Sequence, residues 1–215
     1  PNKGKIPYFA EVMDMDALEA ILSRRSIRKY QDRAVPEEVV QQLLEAGMSA
    51  PTARNMKPWY FLVINERTIL DAIAGFHPYA AMLPEAPLAI LVCGDREAEP
   101  MDGFLSQNCS AATENILLAA HALGLGAVWL GIYPREERME AISKLIGLPE
   151  LVLPVTLIAI GYPGRKKRRE TASTARKCGI ITGDGFLYFP LRRQGAGIKA
   201  AFQPNNLYLA IEGFG

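Results

Sequence analysis

The spacing of apolar residues along the chain predicts helices that alternate with strands. Helical segments repeat their apolar residues every three to four positions, and strand segments are short runs of branched and aromatic residues. Helices are predicted at residues 15–22, 37–48, 67–75, 77–84, 102–123 and 134–146, and strands at 59–64, 87–93, 124–131 and 155–160. This alternation predicts an α+β domain with a three-layer α/β/α arrangement around a central mixed β-sheet.

The charge changes sign near Gly164, which predicts two parts of the chain. Residues 1–164 carry 14 Lys and Arg against 20 Asp and Glu, whereas residues 165–215 carry 10 against 3. The second part begins with the basic block Arg165–Arg169 and continues as a Gly-rich segment with weak periodicity. We therefore predict a folded domain over residues 1–164 and an atypical basic extension over 165–215. The extension is either a solvated arm or a surface for anions such as nucleic acid.

The contrast between the two parts leads to a further hypothesis about residues 165–215. With chosen synonymous codons, Arg165–Asp184 back-translates into DNA whose neighbouring frame encodes a charged arm that ends at a stop codon. We hypothesise that this tail is translated out of frame. A natural gene that encodes the tail in frame, with no inserted or deleted base, would contradict the hypothesis.

Cysteine usage and hydropathy indicate the compartment. Cys93, Cys109 and Cys178 form no CxxC pair and show no zinc-ligand spacing, which favours a reducing compartment and predicts no metal site. The first residues lack the apolar core of a signal peptide, and no run of 18 apolar residues is present to span a membrane. We therefore expect a cytoplasmic protein that does not contact a membrane.

The stretch Arg24–Tyr30 is the strongest candidate for a binding site. It places three arginines, a serine and a lysine within seven residues, directly after the first predicted helix. Arginine forks match phosphate oxygens in pairs, so the stretch suits a phosphate group. The alternative is a solvated helix end, where the helix dipole favours basic residues. The stretch alone leaves both interpretations open.

Other kinds of site have less support. No Gly-x-Gly-x-x-Gly sequence follows a strand, so a Rossmann dinucleotide site is not predicted. We interpret His77 and His121 as structural, and Cys93 and Cys109 as small buried apolar residues. No catalytic acid, base or nucleophile is assigned.

Three separated motifs together resemble the FMN-dependent nitroreductase superfamily. The motifs are Arg24–Arg28, Ala50–Trp59 and Leu123–Gly131, and they follow the family's order within about residues 14–164. The resemblance implies a nitroreductase-like fold and a homodimer. It also implies that FMN is held at the subunit interface by residues from both chains.

The resemblance implies a specific set of FMN-binding residues. At the phosphate and ribityl chain the resemblance places Arg24, Arg25, Ser26 and Arg28. Beside the ring, from the partner subunit, it places Pro51, Thr52 and Asn55. Against the ring and its N5 edge it places Trp129, Leu130 and Gly131. Arg25 is expected to contribute largely through its backbone. The family usually adds a basic residue from its C-terminal segment, and here that segment is the atypical tail. We therefore expect reduced flavin affinity and reduced dimer stability.

The resemblance also implies an activity. Hydride passes from NADH or NADPH to FMN and then to a nitroaromatic, a quinone or a similar small oxidant, by a ping-pong mechanism. Two alternatives within the superfamily are a reductive dehalogenase and a flavin-modifying enzyme. Both usually carry an inserted lid, for which the short stretch 95–102 leaves little room. An alternative from another class is nucleic-acid binding through the basic tail, which the net negative charge of residues 1–164 argues against.

Overall fold

The computed structural model describes residues 15–164, together with the backbone of residues 179–182 and 185–188. The chain divides into two units, Pro1–Arg169 and Glu170–Gly215. The helices described in the first unit are α1 (Ala17–Ser23), α2 (Glu37–Met48), α3 (Arg67–Phe76), α4 (Asp102–Ala122) and α5 (Glu136–Ile146), and the strands are β1 (Trp59–Ile64), β2 (Leu88–Asp95), β3 (Gly126–Gly131) and β4 (Val152–Gly161).

The four strands form one sheet in the order β1-β2-β4-β3, and every neighbouring pair is antiparallel. Within residues 15–164 the sheet is therefore antiparallel, whereas the sequence predicted a mixed sheet. β2 and β3 run in the same direction, but β4 lies between them, so the crossover through α4 does not create a parallel pair. Within residues 15–164, parallel pairing is limited to one isolated bridge, which joins Ser26 to Ala127. The alternation of elements along a sequence does not specify this insertion of one strand between two others.

Helices cover both faces of the sheet, which confirms the three-layer α+β fold. Successive residues of a strand point to opposite faces. The even-numbered side chains of Leu88–Val92 pack with α2 and α4, and the odd-numbered side chains of Ala89–Cys93 pack with α3 and α5. Because both faces of β2 are buried, this strand reads as one continuous apolar run in the sequence.

Local signals explain where the helices begin and where one prediction fails. The carboxylate of Asp16 caps α1 by accepting a hydrogen bond from the N–H of Glu19 at 2.9 Å, as the spacing predicts. The helix predicted over residues 77–84 does not form, and this segment contains only the start of a short 3-10 turn, Leu83–Glu85. Pro84 has no N–H to donate to the carbonyl four residues earlier, as the last turn of this helix would need.

The apolar stripe of α1 is exposed in the single chain. Leu18 is 69% exposed, Ile21 53% and Leu22 67%, whereas Ala20 is buried. A contiguous exposed apolar face of this kind is typical of an interaction surface. The helix therefore presents three large apolar side chains to a potential partner.

In the second unit, β5 (Gly179–Thr182) and β6 (Gly185–Tyr188) pair as an antiparallel hairpin, which the sequence did not predict. The basic block Arg165–Arg169 and Cys178 lie outside the described residues, so the interpretations of both stay predictions. The proposed division of the chain after Gly164 also stays a prediction. In the part of the chain that the structure describes, no helix has the length and apolar character needed to cross a membrane.

Candidate functional site

The basic stretch runs along the outer edge of β3 and past the end of β4. Ser26 forms the parallel bridge with Ala127, and the N–H of Ile27 donates to the Ala127 carbonyl at 3.0 Å. Further along, the N–H of Gln31 donates to the Tyr162 carbonyl at 2.9 Å. These backbone contacts fix the path of the stretch, so the arginines project from a defined backbone.

Tyr30 anchors the end of this stretch in the protein core. Its buried hydroxyl donates towards the carbonyls of Ile27, at 2.8 Å, and Ala159, at 3.1 Å. Burial raises the pKa of the Tyr30 phenol above its ordinary value, so the hydroxyl keeps its proton and remains a donor.

The close approach of the stretch to β3 depends on a glycine. A Cβ placed at Gly126 would lie 2.7 Å from the Cβ of Ile27 and 2.7 Å from its Cγ2. No carbon atoms pack that closely without displacement. Gly126 is therefore needed for Ile27 to lie against the strand.

Arg24 carries a buried donor that residues 15–164 leave without a hydrogen-bond partner. Its Nε lies 3.3 Å from Oε1 of Glu114 on α4, and both side chains are partly exposed. The two groups are not aligned for a hydrogen bond, and this Nε is buried with no hydrogen-bond partner among the described residues. A partly exposed ion pair adds little stability. Arg24 can therefore exchange Glu114 for a ligand that carries more negative charge.

The other basic side chains of the stretch differ in their availability. Arg25 donates through Nη1 to the carbonyls of Leu22, at 3.0 Å, and Arg24, at 2.6 Å, and so satisfies carbonyls at the end of α1. Arg28 is exposed and takes part in none of the ion pairs found within residues 15–164. Arg28 is thus available to an anion, whereas the guanidinium of Arg25 is occupied by backbone carbonyls.

His121 of α4 connects the end of α1 to the helix behind it. Its Nε2 lies 2.7 Å from Oγ of Ser23. Burial lowers the pKa of His121, and the charges of Arg24 and Arg25 lower it further. The ring is therefore neutral near pH 7 and joins Ser23 to α4, and the interpretation of His121 as structural stays a prediction.

The end of β3 directs backbone groups towards the same edge. The Ala127 carbonyl points away from β4, and in an antiparallel ladder the backbone groups of Trp129 and Gly131 then point the same way. A Cβ at Gly131 would meet no atom within 4 Å, so space is open beside it. The Leu130 side chain is buried in the core, and its backbone groups point towards β4, so its assignment to the site stays a prediction. Gly131 lies four residues from Ala127, roughly 13 Å along the strand.

The carbonyl of Gly131 accepts two hydrogen bonds from side chains that the sequence analysis did not assign to the site. His77 Nε2 lies 3.1 Å from it and Arg138 Nη1 lies 2.8 Å from it. His77 is only 2% exposed, and its Nδ1 accepts from the N–H of Tyr79 at 3.2 Å. Because Nδ1 accepts, Nε2 carries the hydrogen. Burial lowers the pKa of His77, helped to a smaller extent by the charge of Arg138, and keeps the ring neutral.

The loop that contains the second motif lies at the opposite corner of the sheet. It precedes β1, which is the edge strand opposite β3. Three strand spacings separate these edges by roughly 14 Å. The registers of β1, β2 and β4 place Trp59 level with Leu153, near the start of β4. Ala127 of β3 pairs with Ile160, near the end of β4. The loop therefore lies on the order of 25 Å from the basic stretch of the same chain.

The loop has a fixed and strained backbone. Arg54, Asn55 and Lys57 have φ values of 55°, 57° and 48°, in the left-handed region that costs free energy for residues other than glycine. The N–H of Lys57 donates to Oγ1 of Thr52 at 3.1 Å, and Arg54 Nη2 lies 3.6 Å from the buried carboxylate of Glu99. These two contacts support the conformation of the loop.

A model described as the Nitroreductase family matches residues 21–78 and 76–162. The chain belongs to this family. A protein of Methanothermobacter thermautotrophicus, provisionally named NADH dehydrogenase/NAD(P)H nitroreductase, is 54% identical over 153 residues, which cover 71% of this chain and 80% of that protein. A Bacillus subtilis protein named FMN reductase [NAD(P)H] is 27% identical over 176 residues, which cover 72% and 69% of the two chains.

Solved structures of nitroreductase relatives share the fold of this chain. A Parabacteroides distasonis protein, with the same provisional name as the Methanothermobacter protein, superposes with a TM-score of 0.71 at 42% identity, covering 74% of this chain and 93% of that chain. A provisionally named nitroreductase of Desulfovibrio desulfuricans, solved in complex with FMN, superposes with a TM-score of 0.62 at 37% identity, covering 78% and 94%.

In this nitroreductase-family chain, two of the three predicted groups of site residues lie on one edge of the sheet. The basic stretch and the end of β3 share that edge, whereas the loop with Pro51, Thr52 and Asn55 lies at the far corner. No local sequence signal could have identified His77 and Arg138, because they reach Gly131 from 54 and 7 positions away.

Proposed function

We propose that this protein is an FMN-dependent oxidoreductase that transfers hydride from NADH or NADPH to a nitroaromatic, a quinone or a similar small oxidant by a ping-pong mechanism. Family membership bears out the enzyme class, an NAD(P)H-dependent flavin oxidoreductase of the nitroreductase type. The relatives named NAD(P)H nitroreductase and FMN reductase, and the relative solved with FMN, support FMN as cofactor and NADH or NADPH as co-substrate. The observation that carries the proposal is a basic stretch fixed beside the open end of β3.

The residues on this edge fit FMN in charge and in spacing. The buried Nε of Arg24 lacks a hydrogen-bond partner within the described chain, and Arg28 is exposed, so both can receive phosphate oxygens. Roughly 13 Å further along β3, open space and outward-pointing N–H groups adjoin Gly131. An elongated ligand with an anionic head and a flat polar ring suits this arrangement.

Bound FMN would supply the hydride transfer itself. The chain supplies binding and orientation: Arg24 and Arg28 offset the phosphate charge, and the half-exposed Trp129 offers an aromatic surface beside the ring. The N–H of Gly131 can donate to a ring heteroatom. This arrangement requires no catalytic acid or base from a side chain, and His77 is already engaged at both nitrogens.

We propose that a homodimer completes the site. Pro51, Thr52 and Asn55 precede β1, roughly 14 Å across the sheet from β3, on the edge that does not face the flavin, so we infer that they reach the flavin from a second copy. The exposed apolar stripe of α1 provides surface that a partner subunit could bury.

The alternatives find less support. β2 ends at Asp95 and α4 begins at Asp102, and between them Arg96 forms a two-pronged pair with Asp102 at 2.8 and 2.9 Å. This short closed connection leaves no inserted lid at that position for a dehalogenase or a flavin-modifying enzyme. Nucleic-acid binding would depend on residues outside the described part of the chain, and no observation on residues 15–164 favours it.

The test is removal of the two available arginines. We expect an Arg24→Ala, Arg28→Ala double variant to lose FMN, because two charge-assisted hydrogen bonds of about 1.5–3 kcal/mol each amount to roughly a hundredfold to ten-thousandfold in affinity. The measurement is titration of apoprotein with FMN, followed by bleaching of the yellow colour with NADH or NADPH. A panel of oxidants then identifies the acceptor.

The control removes the same amount of charge elsewhere. An Arg135→Ala, Lys144→Ala double variant loses two exposed basic side chains outside the basic stretch and should bind FMN like the wild type. Unfolding of both variants in urea shows whether the fold is intact. An arginine double variant that stays fully yellow would contradict the assignment of the phosphate site.

A further inference from the structure

We propose that His77 and Arg138 are positioning residues for the cofactor, because together they fix the Gly131 end of β3 against the flavin ring. This inference rests on the proposed function, since it requires the ring to lie beside Gly131. It extends the site to two side chains, one directly after α3 and one in α5, outside the three motifs that resemble the family.

The end of β3 needs such support. Gly131 is the last residue of an edge strand, and its carbonyl points away from β4, where the sheet provides no donor. Glycine also has the greatest backbone freedom of any residue. Its missing side chain leaves the open space that a ring could occupy. The feature that makes room for a ligand therefore also makes this backbone easy to displace.

Two donors from different elements restrain this carbonyl. His77 donates at 3.1 Å from the end of α3, and Arg138 donates at 2.8 Å from the first turns of α5. Since α3 and α5 both pack on the same face of the sheet, the two bonds connect the strand end to that helical layer. The peptide plane between Gly131 and Ile132 cannot rotate without losing both bonds.

His77 can make its bond in only one ring orientation. Its Nε2–H points to Gly131 while its Nδ1 accepts from the Tyr79 N–H, and the ring is almost completely buried. A flipped ring or the other tautomer would leave a buried donor or acceptor unsatisfied, which is costly. The imidazole is therefore a fixed neutral donor.

Arg138 adds a charged donor with its own support. Its guanidinium lies 5.5 Å from the centre of the Tyr79 ring, within the range of a cation–π contact. A charged donor forms a stronger hydrogen bond than a neutral one. Tyr79 thus contacts both donors, through its backbone N–H to His77 and through its ring to Arg138.

The preceding peptide plane is fixed as well. The buried hydroxyl of Thr156 donates to the Leu130 carbonyl at 3.2 Å. That carbonyl belongs to the same peptide group as the N–H of Gly131. Both peptide planes next to Gly131 are therefore held by side chains, and its N–H keeps one direction towards the open edge.

The experiment compares variants that remove each donor with variants that keep it. His77→Leu and Arg138→Met remove a donor, whereas His77→Gln keeps an N–H near the Nε2 position and Arg138→Lys keeps a charged donor. We expect roughly tenfold weaker FMN binding to apoprotein for the first pair and a loss within about threefold for the second pair. Urea unfolding of each apoprotein measures any general loss of stability.

A second readout reports on the strand end directly. In protein labelled with ¹⁵N-glycine, the amide resonance of Gly131 should shift when FMN is added to the wild type. In His77→Leu and Arg138→Met this shift should shrink or the resonance should broaden. A role confined to general stability would leave the FMN-induced shift unchanged.

The outcomes separate this inference from the proposed function. Wild-type protein that does not bind FMN would overturn the proposed function and this inference with it. Wild-type binding with unchanged affinity and an unchanged Gly131 shift in His77→Leu and Arg138→Met would overturn only the positioning role. Equal impairment of the donor-removing and donor-keeping variants would also overturn it. If His77→Leu fails to fold, the Arg138→Met and Arg138→Lys pair decides.

Discussion

Replacing Gly126 with alanine tests whether the basic stretch must lie against β3. The new Cβ would lie 2.7 Å from the Cβ and Cγ2 of Ile27 and 3.0 Å from its Cγ1. Ile27 is branched at Cβ and therefore stiff, and its Cβ is attached directly to the backbone. Relief of the clash requires the backbone of Ser26 and Ile27 to move. That movement breaks the 3.0 Å hydrogen bond to the Ala127 carbonyl.

The expected magnitudes follow from these two losses. Overpacking costs about 1–3 kcal/mol and the lost backbone hydrogen bond about 0.5–1.5 kcal/mol. We therefore expect the free energy of unfolding of Gly126→Ala to fall by about 1.5–4.5 kcal/mol. If the displaced stretch loses one charge-assisted phosphate contact of about 1.5–3 kcal/mol, FMN affinity falls by roughly ten- to a hundredfold.

The assays are urea unfolding of the apoprotein and titration with FMN. Gly75→Ala is the matched control, because a Cβ at Gly75 in α3 meets no atom within 4 Å. Adding Ile27→Gly to Gly126→Ala removes all three clashing atoms and should restore part of both losses. Wild-type stability together with wild-type affinity in Gly126→Ala would refute this reasoning.

Two further predictions concern titratable groups. Burial lowers the pKa of His77, so the stability that its neutral form contributes is present above the ordinary value of 6.5 and is lost as the pH falls through the lowered value. The free energy of unfolding should therefore fall more steeply from about pH 7 to about pH 5 in the wild type than in His77→Gln. Urea unfolding at a series of pH values measures this, and the same pH dependence in both proteins would contradict it. Burial raises the pKa of Cys93 and Cys109 to about 12. In a Cys178→Ser variant, neither thiol should react with a thiol reagent until the protein is unfolded, and prompt labelling of the folded protein would be the contrary result.

The sequence predicts the elements of this fold better than their arrangement. The helix Glu37–Met48 forms where its apolar period and the preceding Pro36 place it, because both signals are local. The antiparallel pairing of the sheet depends on β4, which returns to lie between β2 and β3 after more than fifty residues. Alternation of strands and helices does not contain that information.

The candidate site shows the same division between local and long-range information. The arginines of residues 24–28 are clustered in the sequence, so the sequence alone suggests them as a candidate phosphate site. The support of Gly131 could not, because His77 and Thr156 become its neighbours only when the sheet and α3 have packed. The helix at residues 15–22 is predicted from its apolar period, but the exposure of Leu18, Ile21 and Leu22 in the single chain follows from packing that the sequence does not display.

The bridge between Ser26 and Ala127 also bears on aggregation. β3 is an edge strand, and an open edge offers unpaired N–H and C=O groups to strands of other molecules. The segment that carries the arginines occupies the beginning of this edge through the bridge and the Ile27 hydrogen bond. The same few residues therefore supply positive charge and block intermolecular strand pairing. A chain in which they detach from β3 would tend to associate with other copies of itself through this edge.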